Sequence, residues 1–189
     1  MESQYYRTFI ALPFEVGPRF LQARQHIMTA LKGERISWVD PGRYHVTLRF
    51  LGDLEISAIE EIGSALQERV TIPDRILLQL SGLGSFGPRK KPRVIWVGFE
   101  ETGFFELLKD EVDLIVEQCG IPTTEQLFRA HLTLGRVRSL SDLNSYYKLI
   151  GEMSQQFNDS VLFKKLVFFR SKLGPQGPEY RVLNELLFL

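Results

Sequence analysis

A chain of 189 residues can build one sizeable hydrophobic core or two small lobes that share one. Hydrophobic residues make up 44% of it and charged residues 24%, which excludes intrinsic disorder and a collagen-like composition. Its 23 basic and 23 acidic residues give a formal net charge of zero, which argues against a protein that grips a long duplex, because each phosphate contact favours a cation. If the chain binds nucleic acid, we expect an end, a short strand or a nucleotide.

The single cysteine, Cys119, cannot form a disulfide within the chain, and one thiol makes no zinc cluster. We therefore expect a reducing compartment, the cytoplasm. The first apolar run, residues 9–12, stops at Pro13 and is too short for a secretory signal. No run approaches the roughly 20 apolar residues of a membrane span.

The first half of the chain predicts the order strand, helix, strand, helix, strand. Pro18 in the first turn and Gly33 beyond the end frame the first helix, and Asp53 is placed to cap the second. In chain order, we predict strands over 5–12, 44–51 and 76–83, and helices over 18–31 and from Asp53 to about 66. The glycines and prolines of GSFGPRKKP, residues 84–92, predict a loop.

The second half predicts the same order again. Strands are predicted over 93–99, 130–137 and 161–170, and helices over 104–119 and from a Ser141 cap to about 157. A turn at 174–180 and a short strand over 181–186 follow. The repeated order indicates two similar halves, 1–91 and 92–189, in one bilobal domain. We therefore predict an α+β fold with two pseudo-symmetric antiparallel sheets, outer helices and a central cleft.

Each half carries one copy of the pattern His-x-Thr-Leu on a predicted strand. Residues 43–50 read RYHVTLRF and residues 128–135 read FRAHLTLG, and the chain has only three histidines. Alternate residues of a strand share a face, so His45 and Thr47 point one way while Val46 points into a core. The same argument puts His131 and Thr133 on one face. If a pseudo-two-fold axis relates the halves, both pairs converge on one cleft.

Two facing imidazoles suit phosphodiester hydrolysis, because one takes a proton from water while the other gives one to the leaving oxygen. The reference pKa of histidine, roughly 6.5, allows one neutral and one protonated copy near neutral pH. Threonine hydroxyls can donate hydrogen bonds to the non-bridging oxygens. A single His-x-Thr is usually only a half-exposed histidine beside a strand-favouring residue, but two copies in corresponding places favour function. The third histidine, His26, lies on an amphipathic helix and is interpreted as a surface or packing residue.

Metal binding is the alternative use of paired histidines. Neither motif has a third histidine or cysteine nearby, and Asp40 and Asp53 fall in predicted loops. We therefore expect no metal and no cofactor.

The chain as a whole resembles the two-histidine phosphoesterase superfamily, in particular the RNA 2′,3′-cyclic phosphodiesterases, also called 2′-5′ RNA ligases. The segments that carry the resemblance are RTFIALPF, WVDPGRYHVTLRFLGD, GSFGPRKKPRVIWVGF, FRAHLTLGRVR and SKLGPQGPEYRVL. The resemblance implies a bilobal fold and metal-independent opening of a 2′,3′-cyclic phosphate to a 2′-phosphomonoester. It also implies, for some members, reversible ATP-independent 2′-5′ joining of RNA ends. The expected partners are RNA ends or nucleotides with a 2′,3′-cyclic phosphate, handled by a monomer away from any membrane.

The resemblance also implies roles for individual residues. His45 would be the proton donor and His131 the proton acceptor, with Thr47 and Thr133 on the phosphate. Ala130 stands where many relatives carry proline, which alters the entry to the strand and not the chemistry.

Two positions lie five residues after a motif histidine, Phe50 and Arg136. Strict alternation turns both away from the histidines, but a bulge near Gly135 or at the strand ends would bring them to the rim of the cleft. The resemblance favours Arg136 as a phosphate or base contact and leaves Phe50 open as a base contact. The basic run of residues 89–93 is either a solvated loop or a guide for an RNA strand.

Three functions stay open at this point. The first is hydrolysis of a 2′,3′-cyclic phosphate. The second is an idle module that binds RNA ends, against which both histidines and both threonines argue. The third is the same chemistry on another cyclic or 2′-5′ phosphodiester.

Overall fold

The structure, a computed structural model, describes residues 5–71, 73–123, 127–174 and 177–189. Nine strands and four α-helices are found within these ranges. The strands are β1 (Tyr6–Pro13), β2 (Arg35–Trp38), β3 (His45–Leu54), β4 (Ile76–Phe86), β5 (Val94–Phe99), β6 (Leu132–Ser139), β7 (Ser160–Phe163), β8 (Lys165–Gly174) and β9 (Gly177–Leu187). The helices are α1 (Pro18–Ala30), α2 (Ile56–Arg69), α3 (Phe104–Gln118) and α4 (Leu143–Met153).

The strands form two sheets, with the orders β3-β1-β8-β9 and β2-β6-β5-β4-β7. Every neighbouring pair is antiparallel. The order β3-β1-β8 in one sheet corresponds to β6-β5-β4 in the other, so the two motif strands, β3 and β6, hold equivalent places. The predicted α+β class with two pseudo-symmetric sheets is confirmed.

The sheets do not coincide with the two halves of the sequence. Strands β1 and β3 of residues 1–91 lie in the first sheet, whereas β2 and β4 lie in the second. Residues 92–189 likewise give β8 and β9 to the first sheet and β5, β6 and β7 to the second. Each half therefore crosses between sheets, and the division into repeat halves stays a prediction.

An apolar core runs continuously through the molecule and joins the sheets. Phe14, which follows β1, makes an edge contact with Phe163 of β7, with ring centroids 5.0 Å apart. Phe105 of α3 makes another with the same ring at 5.4 Å. Such contacts between residues distant in sequence hold the two sheets in one body.

The predicted cap of the second helix is wrong. Asp53 still belongs to β3, where it pairs with Arg7 of β1. Helix α2 begins after Glu55, which has cap geometry but makes no capping hydrogen bond through its side chain. The strand continues past the residue at which a helix signal begins because pairing with β1 satisfies its backbone groups.

The predicted cap of the fourth helix is displaced by one residue. Asp142, not Ser141, is the N-cap of α4, and its Oδ1 accepts from the backbone N–H groups of Asn144 at 2.9 Å and Ser145 at 3.1 Å. Ser141 instead donates its hydroxyl and its backbone N–H to the carboxylate of Glu34. A carboxylate one step closer to the helix outcompetes the hydroxyl for the cap, as its charge favours the helix N-terminus.

Other predicted boundaries also shift. The single strand expected over 161–170 is two strands, because Phe163 is buried with the second sheet while Leu166 is buried with the first. Helix α4 ends at Met153, before the expected residue 157, and a 3₁₀ turn follows. Strand β4 runs to Phe86, so the glycine-rich loop begins at Gly87. Strand β2 is absent from the prediction because four residues are too short for a periodic signal. The turn predicted at 174–180 is too long, because Gly174 still belongs to β8 and the last strand, β9, already begins at Gly177 and not at 181. Residues 175 and 176 lie outside the described ranges.

Candidate active site

The two motif histidines begin the two equivalent strands. His45 is the first residue of β3, and His131 directly precedes β6. Both are half-buried, as are Thr47 and Thr133. The alternating apolar residues behind them are fully buried: Val46, Leu48, Leu132 and Leu134. The strands therefore fix each imidazole and hydroxyl on a rigid element.

Each imidazole is held by a backbone carbonyl two residues earlier. The Nδ1 atom of His45 lies 2.8 Å from the carbonyl oxygen of Arg43, and Nδ1 of His131 lies 2.8 Å from that of Arg129. A carbonyl oxygen only accepts, so in both rings Nδ1 carries the proton. The tautomer assigned in this way leaves Nε2 of each neutral ring with a free lone pair. The two histidines are thus prepared identically.

Electrostatic effects tie the two histidines to each other and to Arg136. Burial lowers the pKa of His45, and the charges of His131 and Arg136 lower it further. Burial also lowers the pKa of His131, with Arg136 and Arg129 adding to the effect. The hydrogen bonds to the carbonyls of Arg43 and Arg129 oppose these shifts. The charge of Arg136 therefore disfavours the protonated form of both rings.

Aromatic rings surround His45. Its ring centroid lies 5.3 Å from that of Phe9 and 5.5 Å from that of Tyr180, the latter edge-on. A pocket of about 330 Å³ opens beside the histidine, and Arg43, Phe169, Glu179 and Tyr180 line it. Tyr180 lies on β9, at the far side of the first sheet, and Arg43 bonds to the carbonyl oxygen of Pro178 at 2.9 Å. The sheet thus curls until β9 reaches the segment before His45.

A second aromatic group supports His131. Phe86 meets the imidazole edge-on, with centroids 4.8 Å apart, and stacks on Trp96 at 5.2 Å. The guanidinium of Arg129 covers the Trp96 ring at 4.2 Å. Gly84 pairs with Trp96 across β4 and β5, and its missing side chain leaves room for the indole to lie on the sheet. This stack holds Arg129 next to the histidine.

Both residues five places after a histidine escape strict alternation. Pairing of β1 with β3 skips Leu48, and pairing of β5 with β6 skips Leu134. After the extra residue Phe50 is 63% exposed, with its ring 5.9 Å from Phe9, which itself contacts His45. The face expected from strict alternation is therefore wrong for Phe50 and Arg136, and the bulge that the sequence left open is present in both strands.

Sequence reasoning missed several neighbours of the histidines. Phe9, Phe86, Trp96 and Tyr180 come from strands far apart in the chain, and only folding brings them together. One signal was available, since both motifs read Arg-x-His-x-Thr with Arg43 and Arg129 at the same step.

Two other predicted features lie apart from the histidines. His26 is exposed on α1. Residues 89–91 of the basic run are exposed in the loop between β4 and β5. There the Tyr147 hydroxyl donates to the carbonyl oxygen of Arg89 at 3.0 Å, which ties this loop to α4.

Within the described ranges, no three histidine, cysteine or acidic side chains are grouped so that they could hold a metal ion. No helix in this part of the chain is long and apolar enough to span a membrane.

Comparison with known proteins places the chain in a family. A family described as LigT like Phosphoesterase matches residues 10–96. The RNA 2′,3′-cyclic phosphodiesterase of Aeropyrum pernix is 33% identical over 87% of this chain and 93% of its own. The protein of that name from Thermotoga maritima is 32% identical over 96% of this chain and 95% of its own.

Solved structures agree on the fold. The Thermus thermophilus protein TT0787 superimposes with a TM-score of 0.76 at 23% identity, over 96% of this chain and 97% of its own. Escherichia coli LigT, complexed with 3′-AMP, superimposes with a TM-score of 0.71 at 17% identity, over 98% of this chain and 99% of its own. Fold and paired motifs define a two-histidine phosphoesterase. The chain belongs to the LigT-like phosphoesterase family.

Proposed function

We propose that this chain is an RNA 2′,3′-cyclic phosphodiesterase, which opens the cyclic phosphate of an RNA end or a nucleotide to a 2′-phosphomonoester without a metal ion. The observation that carries the proposal is the matched pair of imidazoles, each with Nδ1 on a backbone carbonyl and Nε2 free. The names of the relatives from Aeropyrum pernix and Thermotoga maritima support the substrate class. The complex of Escherichia coli LigT with 3′-AMP supports a nucleotide in this fold.

The proposed reaction is one displacement at phosphorus. The neutral Nε2 of His131 takes a proton from water as its oxygen bonds to phosphorus. The bond from phosphorus to the 3′ oxygen breaks, and the protonated Nε2 of His45 gives its proton to that oxygen. The product keeps the phosphate on the 2′ oxygen, and the two histidines exchange protonation states. A proton transfer through solvent restores them.

The substrate itself supplies the charge that His45 needs. In the free protein, burial and neighbouring positive charges lower the pKa of this imidazole, which disfavours the acid form. A cyclic phosphate carries one negative charge, and an anion within about 4–6 Å favours a protonated imidazole. Binding therefore prepares His45 as an acid, while Arg129 and Arg136 favour the neutral form of His131.

The remaining site residues bind the phosphate and the base. The hydroxyls of Thr47 and Thr133 share faces with the histidines and can donate to non-bridging oxygens. Arg136 adds a positive charge that acts on both imidazoles. Phe50 offers an exposed ring on which a base can stack.

The same geometry suits the same displacement with a different nucleophile. A 5′-hydroxyl in place of water would yield a 2′-5′ phosphodiester, and its formation would need no ATP because the cyclic phosphate supplies the leaving 3′ oxygen. We propose this joining as a secondary activity. We further propose that the protein works as a monomer in the cytoplasm, where a lone cysteine such as Cys119 stays reduced.

A direct assay tests the proposal. Purified protein is incubated with a nucleoside 2′,3′-cyclic phosphate, and the product isomer is identified by phosphorus NMR. The expected product is the 2′-monophosphate, formed by the native protein and not by a variant with both His45→Ala and His131→Ala. A 3′-monophosphate product would show that the 2′ oxygen leaves, which would contradict the proposed leaving group. Binding without turnover would favour an idle RNA-end module, and turnover only of a linear 2′-5′ diester would favour the other substrate class.

A further inference from the structure

One arginine of the first motif strand buries its side chain behind that strand. Arg49 lies on β3 just after the extra residue Leu48, and it is 8% exposed. Its Nη1 donates to Asp113 Oδ1 at 2.8 Å and to Thr123 Oγ1 at 3.0 Å. Its Nη2 donates to the carbonyl oxygens at 121 and 122, at 3.0 and 2.9 Å. The guanidinium is thus held on both of its arms.

The partners of Arg49 all belong to the second half of the chain. Asp113 lies on α3, is itself 8% exposed, and forms a second ion pair with Lys109. Residues 121–123 begin the connection that leads from α3 towards His131. One side chain therefore joins the strand that begins with His45 to the helix and the connection that precede His131.

The position of Arg49 also bears on the bulge. Register passes from the pair Ala11–Thr47 to the pair Ile10–Arg49, with Leu48 left over. Inward anchoring of the arginine fixes this irregular step. Thr47 before it and Phe50 after it then face the cleft together.

The equivalent step of the other motif strand uses a different device. Gly135 occupies that step, and a side chain on it would meet Ile36 and Trp38 of the neighbouring strand β2 at 3.0 Å. Strand β2 thus covers β6 closely, whereas β3 is an edge strand of its sheet. Arg49 therefore supports the edge strand β3 at the step where pairing with β2 supports β6.

A buried ion pair is a poor source of net stability. Removal of charges from water costs several kcal/mol per ion, and an apolar pair of similar volume is often as stable or more so. Loss of one partner alone leaves an unpaired buried charge and typically costs about 3–5 kcal/mol. The directional fork of an arginine with four acceptors, in contrast, fixes geometry that apolar contacts leave loose.

We propose that Arg49 is a positioning residue that sets the distance and the angle between His45 and His131 through Asp113 and residues 121–123. It touches neither the substrate nor the reacting atoms. This role rests on the proposed function, because it concerns the geometry of that same site.

A double substitution separates positioning from stability. In Arg49→Met with Asp113→Leu, the ion pair of Arg49 and Asp113 is replaced by apolar side chains of similar length. Lys109, the second partner of Asp113, is partly exposed and can turn its ammonium group to solvent. We expect a melting temperature near that of the native protein, a kcat reduced about tenfold to a hundredfold, and a KM within about threefold, as misplacement of catalytic groups by about 1 Å has such effects. The matched control is the exposed pair Lys165 and Glu185, changed to Met and Leu, which should leave kcat unchanged.

The pH profile supplies a readout that a purely structural role would not move. The charge of His131 lowers the pKa of His45 in the native arrangement. When the two rings separate, this effect weakens, and the alkaline limb of kcat/KM should move to higher pH in the double variant. The control pair should not move it.

Each outcome decides the proposal. Native melting temperature with reduced kcat and a shifted limb supports it, whereas native kcat in a folded double variant overturns it. If the double variant does not fold, Arg49→Lys takes its place, since it keeps the charge without the fork. Reduced kcat there, with a shifted limb, supports positioning, and unchanged values overturn it. Failure of the native protein to hydrolyse any cyclic phosphate would instead refute the proposed function.

Discussion

Phe50 and Arg136 occupy the same step of the two motif strands, each five residues beyond its histidine and each just past one extra residue in the strand pairing. The two motif strands, β3 and β6, therefore present an aromatic ring from one sheet and a guanidinium from the other. Arg136 influences the protonation of both imidazoles, and its charge also acts on Tyr180. This asymmetry between otherwise matched strands gives a first prediction.

Arg136→Gln should raise the pKa of both histidines, because it removes a positive charge that lowers each of them. The bell-shaped profile of kcat/KM should move to higher pH as a whole, and KM should rise with the loss of the proposed phosphate contact. Steady-state kinetics across pH measures both effects. Arg138→Gln, at an exposed position on the same strand, is the control and should leave the profile in place. An unmoved profile in Arg136→Gln would place that charge away from the histidines.

The native profile follows from the same shifts. The proposed mechanism needs His131 neutral and His45 protonated, and both pKa values lie below the ordinary 6.5 in the free protein. As the pH rises above the lowered pKa of His45, this residue loses its proton. We therefore expect kcat/KM to peak on the acidic side of about 6.5 and to fall above it. The kcat profile should extend to higher pH, because bound phosphate favours protonated His45. A kcat/KM that still rises at about pH 8 would contradict the assignment of an imidazole acid.

Gly84→Ala should damage the support of His131. The added carbon would overlap the indole of Trp96, so this ring must move against Arg129 and Phe86. Overpacking of this kind costs about 1–3 kcal/mol, and we expect a lower melting temperature together with a lower kcat. Gly151→Ala in helix α4 is the control, because nothing lies within 4 Å of its added carbon. Native stability and native kcat in Gly84→Ala would show that the stack does not support the site.

Chelation should leave the activity intact. The proposed mechanism moves protons between two imidazoles and water and gives no step to a metal ion. We expect the same kcat after dialysis against EDTA as before it, with added zinc or manganese giving no increase. Loss of turnover on chelation, restored by either ion, would mean that a metal activates the water.

The sequence predicts most of this site because the motif residues are neighbours on a strand. A period of two sets His45 beside Thr47, and the repeat of the motif indicates a shared cleft. The same period fails at Phe50 and Arg136, since one extra residue in the pairing reverses the face. Gly135 marks that step on β6, but no residue type marks it on β3. The predicted strand over 161–170 is wrong for a similar reason. The break between Phe163 and Leu166 depends on which sheet each residue joins, and tertiary contacts determine that.

The surroundings of the histidines could not be predicted from local pattern. Tyr180 reaches His45 only because the first sheet curls, and Arg49 meets Asp113 only because α3 packs behind β3. These contacts join residues far apart in the chain, so no spacing reports them. The glycines and prolines of residues 84–92 predict a loop, and the loop found at 87–93 overlaps that range because such residues act locally.

The central claim is that His45 gives a proton to the leaving oxygen while His131 takes one from water, and leaving-group chemistry tests it most directly. His45→Ala should lose about a hundredfold or more of kcat/KM on a ribose cyclic phosphate, whose alkoxide needs its proton. On an activated aryl phosphodiester, with the aryl group in the place of the 3′ oxygen, the same variant should recover much of its rate. His131→Ala should stay slow on both substrates. Recovery of His131→Ala but not of His45→Ala would reverse the two roles, and equal losses on both substrates would mean that the histidines bind phosphate and do not transfer protons.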